Sequence, residues 1–275
     1  MKIEKIYYWL SWFKETLSAA EQAKLNPDLI TVLRHSQLSL WRALNIYDDF
    51  LDGEGEPAKL PLANRHYRYF LKTYYQLGLT SDFNKLFEKV MTSLDNDNQR
   101  EAEQMKLKIK KGELIMPKKL PHFHQLTSLS RKSLALALGP IALLNILGYR
   151  TKDPKIQTTL RFFKYALAAK QLADDAHDWR EDLQAGKITA ANVLLLQTAK
   201  KNKINLNLKR RPEIAYLLFS LGAPELTSNL NKLCAQARQT AKKLKWPADA
   251  KLIKQIIVPL ENGAREASEF QKLLT

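Results

Sequence analysis

Two tight groups of aspartates stand out in a chain that is otherwise strongly basic. "NIYDDFLD" carries Asp48, Asp49 and Asp52, and "QLADDAHDWRED" carries Asp174, Asp175, Asp178 and Asp182. On a helix, residues four apart share a face. Asp48 and Asp52 therefore point one way with Asp49 a step round, and Asp174, Asp178 and Asp182 form one line. Like charges at this spacing repel by about 0.2–0.5 kcal/mol per pair on an exposed helix. Trp41, Ala43, Leu44, Ile46, Tyr47, Phe50 and Leu51 surround the first group, and "FFKYALAAKQLA" precedes the second, so both stripes are expected to be largely buried. Buried carboxylates that face each other need cations. Clustered oxygen ligands without cysteine or paired histidine suit Mg2+, which keeps waters and shares its shell with a substrate phosphate. The plain alternative is a solvated acidic helix face.

Metal ions held this way would in turn hold an anionic leaving group such as diphosphate. The expected cationic contacts are Arg42 before Asp48, Lys170 one turn before Asp174, then Arg180 and Lys187. Arg131 and Lys132, at the head of the helix that starts near Ser133, would join them at a terminus that favours anions.

The elements that must position these residues are helical. The chain has 275 residues, 45% of them hydrophobic, with only nine glycines and a composition rich in helix formers. Helical periodicity predicts segments 4–20, 27–52, 64–78, 82–93, 98–111, 127–147, 155–184, 189–200, 212–221, 224–244 and 249–273, with no sustained strand alternation. Pro and Gly mark the breaks, among them Gly53, Gly186, Gly222 and Pro224. The fold class expected is all-α: one domain over 1–275, a bundle of ten or eleven helices around a central cavity.

One cysteine, Cys234, excludes an intrachain disulfide and fits a reducing cytoplasm. The N-terminal stretch does not resemble a signal peptide, because Glu4 and Lys5 interrupt it. The longest uncharged run, Ser133 to Tyr149, is shorter than the ~20 residues that span a bilayer and is broken at Gly139-Pro140. A net charge of +16 points to an anionic partner. Basic clusters at 106–111, 116–121, 200–212 and 242–247 are solvated helix faces and loops on the plain reading, and otherwise sites for nucleic acid, a phosphorylated small molecule or peripheral contact with an anionic membrane at its inner surface. Nucleic acid is not expected, since no helix-turn-helix, zinc-finger or aromatic RNA motif is evident. His122 and His124 have alternate spacing but no third ligand nearby, and His177 stands partly off the second stripe.

At this point the residues resemble a family. "DDFLD" matches the DDxxD element of class I isoprenoid (terpenoid) synthases, the all-helical superfamily of trans-prenyltransferases, squalene and phytoene synthases, and terpene cyclases. "QLADDAHDWREDLQAGKIT" is similar to its second metal motif in the squalene/phytoene form, in which Gln171, Asp178, Asp182 and "GKI" match. "LNPDLITVLRHSQLSLWRALNIYDD" is similar to the helix leading to the first motif of squalene synthases. The two motifs lie in the right order, 126 residues apart from Asp48 to Asp174, and the likeness covers most of the chain.

The resemblance implies that Asp48, Asp49 and Asp52 with Asp174, Asp178 and Asp182 hold about three Mg2+ ions on a prenyl diphosphate of the farnesyl or geranylgeranyl class. Asp48, Asp52, Asp174 and Asp178 are the implied catalytic set. Ionisation leaves an allylic cation in an apolar cavity, where Tyr47, Phe50 and Gln171 are the expected lining. The branch is mixed. Pro57 and Ala58 stand where chain-elongating enzymes carry an Arg-Arg pair, and no Gly-Lys-Arg element precedes Asp48. Cyclases typically carry an Asn/Ser/Glu triad where Asp174, Asp178 and Asp182 fall. A terpene synthase acting on one all-trans prenyl diphosphate is the leading expectation, followed by squalene/phytoene-like coupling and then elongation. A homodimer is allowed for. The rival class is a non-catalytic basic helical protein that binds nucleic acid or membrane.

Overall fold

The computed structural model describes residues 3–104, 106–110, 113–115, 117, 119–120, 126–204 and 212–274. Ten α-helices lie among them: α1 (Ile3–Lys14), α2 (Ala19–Ala23), α3 (Pro27–Leu51), α4 (Leu60–Gln76), α5 (Ser81–Gln104), α6 (Leu138–Ile146), α7 (Pro154–Gln184), α8 (Ala190–Lys201), α9 (Pro212–Lys243) and α10 (Lys251–Leu274). Short 3-10 segments cover Pro57–Lys59, Leu126–Ser130 and Leu134–Ala137. The all-α expectation and the number of helices hold. His122 and His124 lie outside the described residues.

Several boundaries differ from the sequence expectation; the expected 4–20 helix, for one, is split into α1 and α2. The end of the expected 98–111 helix is a hairpin, β1 (Lys108–Lys110) with β2 (Glu113–Ile115), in which Ile109 faces Leu114. Its helical part joins the 82–93 segment to make α5. The expected break at 222–224 is absent, and α9 runs through Pro224, whose missing N–H forgoes one helical hydrogen bond. Gly222 is there for packing rather than termination: a Cβ on it would lie 2.5 Å from Leu195 Cδ2 of α8. Finally, 127–147 is 3-10 helix and turn until Leu138, which puts Pro140 in the first turn of α6, where its missing N–H costs nothing.

The chain forms two compact units. The first comprises Met1–Asn98, Arg131–Phe163 and Gln239–Gln255. Its core joins Leu33 and Leu40 of α3, Phe70 of α4, Phe83 of α5 and Ile141 of α6, all fully buried. Phe13 packs on Phe163 and Trp246, and Phe162 meets Trp246 at 4.8 Å between ring centroids. Buried Gln37 accepts from the Tyr74 hydroxyl (3.0 Å) and the Gly139 N–H (3.2 Å) and donates to the Leu136 carbonyl (2.7 Å). The second unit comprises Gln99–Ser130, Lys164–Arg238 and Ile256–Thr275. Within it Arg238 of α9 makes a two-point ion pair with Glu261 of α10. Cys234 is buried, and burial pushes its thiol up to about 12, with Glu261 adding to the shift. It is an inert core residue.

One polar cluster in the first unit makes a testable contribution to stability. The carboxylate of Glu21, in α2, accepts from Lys155, from the Tyr149 hydroxyl (2.7 Å) and from Ser18. Burial alone would raise its pKa, but these donors outweigh burial and hold it at about 2, below the ordinary 4.5. A carboxylate depressed in the folded state stabilises above its unfolded value and loses that contribution as pH falls through the folded value. Glu21→Gln should therefore cost about 1–2 kcal/mol at neutral pH, less than the full shift because solvent screens the cluster. The difference should shrink steadily between pH 4.5 and about 2. Urea unfolding of both proteins at neutral and acid pH checks this, and a pH-independent gap would contradict it.

Candidate active site

Helix α3 ends at the first acidic stripe in a way its sequence explains. Asp52 is the C-cap and Gly53 follows in the left-handed conformation (φ +80°). The Gly53 N–H donates to the Phe50 carbonyl (3.1 Å) and the Glu54 N–H to the Asp49 carbonyl (2.9 Å). This is the Schellman closure that glycine permits. Helix α7 closes in the same manner. Gly186 (φ +74°) donates to the Leu183 carbonyl at 3.1 Å, and Lys187 donates to the Asp182 carbonyl at 2.7 Å. Both stripes thus run into helix C-termini, where the backbone dipole is already negative. Neither helix carries a base in its last turn, whereas α8 and α9 end on lysine pairs. Asp49, Asp52 and Asp182 sit at the end of a helix that least favours them, and the electrostatics call for cations from outside that turn.

In the first unit that cation comes from far along the chain: Lys132 Nζ lies 3.5 Å from Asp48 Oδ1. Lys59 is a further cation near this stripe that no motif or spacing marks. Hydrogen bonding to Glu56 raises its ammonium pKa, and Asp49 adds to the shift. Arg131 goes elsewhere, 3.7 Å from Asp97, and with it lines an open groove of about 420 Å³ on α5 together with Glu88, Lys89, Ser93 and Asn96. Neither Arg131 nor Lys132 starts an α-helix, because 3-10 structure follows them. Arg42 lies seven residues before Asp49 and shares that residue's face rather than the Asp48 face. Burial lowers the His66 pKa, and the positive fields of Arg42 and Arg65 lower it further, which places Arg42 close to α4.

The first stripe is more open than its apolar neighbours suggested. Asp48, Asp49 and Asp52 are exposed, the Asp48 side chain by 61%, while Tyr47 and Phe50 are half-buried. The Tyr47 hydroxyl donates to Asn64 Oδ1 (2.7 Å), and its ring meets Tyr67 edge-on. Phe50 lies under the Gly55 backbone, where a Cβ would come within 2.5 Å of the ring.

In the second unit, α7 carries Asp174, Asp178 and Asp182 on one line, as their spacing requires. Lys170 pairs with Asp174 across one turn, and Lys187 Nζ lies 4.0 Å from Asp182 Oδ1. Asp174, His177, Asp178 and Arg180 are exposed, and Asp182 is half-buried. Asp175 has a different role. It is buried, and its carboxylate accepts from Gln171 Nε2 (2.8 Å) and from the Ala190 N–H (3.1 Å). Ala190 is the first residue of α8, so Asp175 satisfies one of that helix's unpaired donors and meets the positive end of its dipole. Gln171 is thereby committed to Asp175. Nothing in the sequence but the one-step offset of Asp175 from the stripe hinted at this.

Three of the six expected cations therefore contact three of the expected metal ligands: Lys132 with Asp48, Lys170 with Asp174, and Lys187 with Asp182. No three His, Cys, Asp or Glu side chains among the described residues gather into a preformed cage. The donor chemistry still fits Mg2+, which is bound through one or two carboxylates plus waters and phosphate oxygens rather than by an all-protein cage.

No protein-family model and no curated protein sequence matches the chain. Among solved structures, it is similar to a provisionally assigned geranylgeranyl pyrophosphate synthase from Corynebacterium glutamicum. The TM-score is 0.62 at 14% identity, over 95% of this chain and 82% of that one. The chain therefore shares the all-α fold of that structure.

Proposed function

We propose that the protein is an Mg2+-dependent class I isoprenoid synthase. It ionises an all-trans prenyl diphosphate of the farnesyl or geranylgeranyl class, releases diphosphate, and cyclises or otherwise quenches the carbocation. The observation that carries this reading is the pair of aspartate stripes. Each ends a helix at a glycine closure, each has a lysine against it, and the fold is one that isoprenoid synthases use. Asp48, Asp49 and Asp52 would be the metal ligands of the first unit, and Asp174, Asp178 and Asp182 those of the second. When bound, Mg2+ supplies Lewis-acid neutralisation of the leaving diphosphate.

The chain's own residues do the rest. The allylic C–O bond breaks, its electron pair leaves on the diphosphate oxygen, and Lys132, Lys170 and Lys187 are candidate cations for the growing charge. Arg42, Arg131 and Arg180 are the remaining candidate contacts. The ring faces of Tyr47 and Phe50, which flank the first stripe, can stabilise the hydrocarbon cation.

A second reading, prenyl transfer, is favoured by the name of the similar structure, although Pro57 and Ala58 do not supply the Arg-Arg pair of elongating enzymes. Incubation with Mg2+ and farnesyl or geranylgeranyl diphosphate alone should yield diphosphate and a hydrocarbon or alcohol of unchanged carbon number. A doubled carbon number would indicate coupling. Product formed only after isopentenyl diphosphate is added would assign chain elongation instead, and no diphosphate release under either condition would remove the enzymatic reading.

A further inference from the structure

The outer face of α4 has a chemistry that the reaction does not use. Along its 17 residues α4 has no Asp or Glu. Ala63, Phe70, Thr73 and Tyr74 face inward and are buried. At 100° per residue, the exposed positions fall on one arc of about 160°. Arg65, Arg68 and Lys72 form a ridge along its middle, with Leu62 and Tyr69 on one flank and Tyr75 on the other. These three side chains are 41%, 44% and 65% exposed and so border the cationic ridge on both flanks. The lowered pKa of His66 agrees with a concentration of positive field here, since Arg65 and Arg42 both contribute to it after burial. Of the carboxylates that reach this helix, Glu88 accepts from the Tyr75 hydroxyl at the C-terminal end (3.3 Å), and Asp95 acts on half-buried Tyr67.

We propose that this face of α4 docks the protein on an anionic lipid bilayer. Arg and Lys stems lie along the headgroups with their charges on lipid phosphates, while Leu and Tyr enter the interfacial layer, where an amphipathic ring is at its most favourable depth. A second copy of this chain is the wrong occupant, because a two-fold contact would press Arg65, Arg68 and Lys72 against their own counterparts. Nucleic acid would reward the cations but not the exposed leucine. The fit to a bilayer also rests partly on the proposed reaction, whose product loses its diphosphate and leaves water for lipid.

Flotation of the full chain with phosphatidylcholine vesicles, with and without phosphatidylserine, tests the proposal. The parent should float with the anionic vesicles and much less with the neutral ones. A triple Arg65→Glu, Arg68→Glu, Lys72→Glu variant should lose roughly a hundredfold in affinity, from about a tenfold or smaller factor per charge. A Leu62→Ser, Tyr69→Ser variant should lose severalfold, and the loss should persist at high salt, where charge is screened. Both variants should keep the parent's circular dichroism and its diphosphate release from soluble farnesyl diphosphate. Failure of the parent to float, or unchanged flotation of both variants, overturns the proposal. So does salt-sensitive duplex DNA binding by the parent that is abolished in the triple variant while flotation is not. Vesicle binding without any diphosphate release would sustain the docking surface and defeat the proposed reaction, so the two can fail separately.

Discussion

Asp178→Asn should lower Mg2+-dependent diphosphate release from a prenyl diphosphate by at least about a hundredfold, the order seen when one preorganised charge-stabilising group is lost. The folded protein should at the same time become slightly more stable. Asp178 is exposed and sits midway between Asp174 and Asp182 on one face of α7. Its charge therefore repels two like neighbours one turn away on either side, and neutralising it relieves about 0.2–0.5 kcal/mol per pair. A residue kept at a cost to stability and needed for turnover is a ligand. A residue that belongs to a solvated acidic face would show the small gain in stability with no loss of turnover. Asp48→Asn should behave similarly, with a smaller stability gain because its ion pair with Lys132 is lost. Chelation of the metal should reduce the parent to the level of the variants and leave the variants unchanged. Release by Asp178→Asn within threefold of the parent would end the assignment of the second stripe as a metal site.

Much of the scaffold for these residues was legible in the sequence because its signals are local. Asn26 and Pro27 start α3, and the Asn26 side chain does accept from the Asp28 N–H. Gly53 and Gly186 end α3 and α7 where their freedom to adopt positive φ is used. The Lys170–Asp174 pair follows from i, i+4 spacing alone. What the sequence misplaced depends on distant partners. Lys-Ile-Lys at 108–110 has good helix formers and becomes a strand because it pairs with Glu113–Ile115. Gly222 and Pro224 look like punctuation, yet α9 runs through both, and Gly222 leaves room for the Leu195 side chain. The apolar residues around Asp48 suggested a buried stripe, but burial is decided by what packs against a helix, and the last turns of α3 are only half covered. Lys132 is 84 residues from Asp48 and no spacing rule could link them. The separate role of Asp175 among four aspartates became visible only once α8 was in place.

That role carries the largest stability effect expected in the second unit. Asp175→Ala should destabilise the protein by about 2–4 kcal/mol, because it strands a buried backbone donor and a half-buried amide and removes a charge from a helix N-terminus. The Ala190 N–H has no other turn of α8 to donate to, and Gln171 Nε2 loses the acceptor it holds at 2.8 Å. Asp175→Asn should recover part of the loss, since the amide oxygen can still accept one of the two bonds but without charge assistance. The neighbouring Asp174→Ala is the control. Its side chain is 52% exposed and its pairing with Lys170 is a surface ion pair, worth about 1 kcal/mol or less. Urea unfolding should therefore separate two adjacent aspartates by a wide margin in midpoint, and turnover should separate them in the opposite sense. At a temperature where both variants remain folded, Asp174→Ala should lose diphosphate release through its own place on the stripe. Asp175→Ala should lose less, and only as far as the loop carrying Lys187, between α7 and the start of α8, loses its anchor. Equal unfolding costs for the two substitutions would mean that Asp175 is not the residue holding α8 to α7. A larger activity loss at Asp175 than at Asp174 would move the metal-binding line one step round the helix.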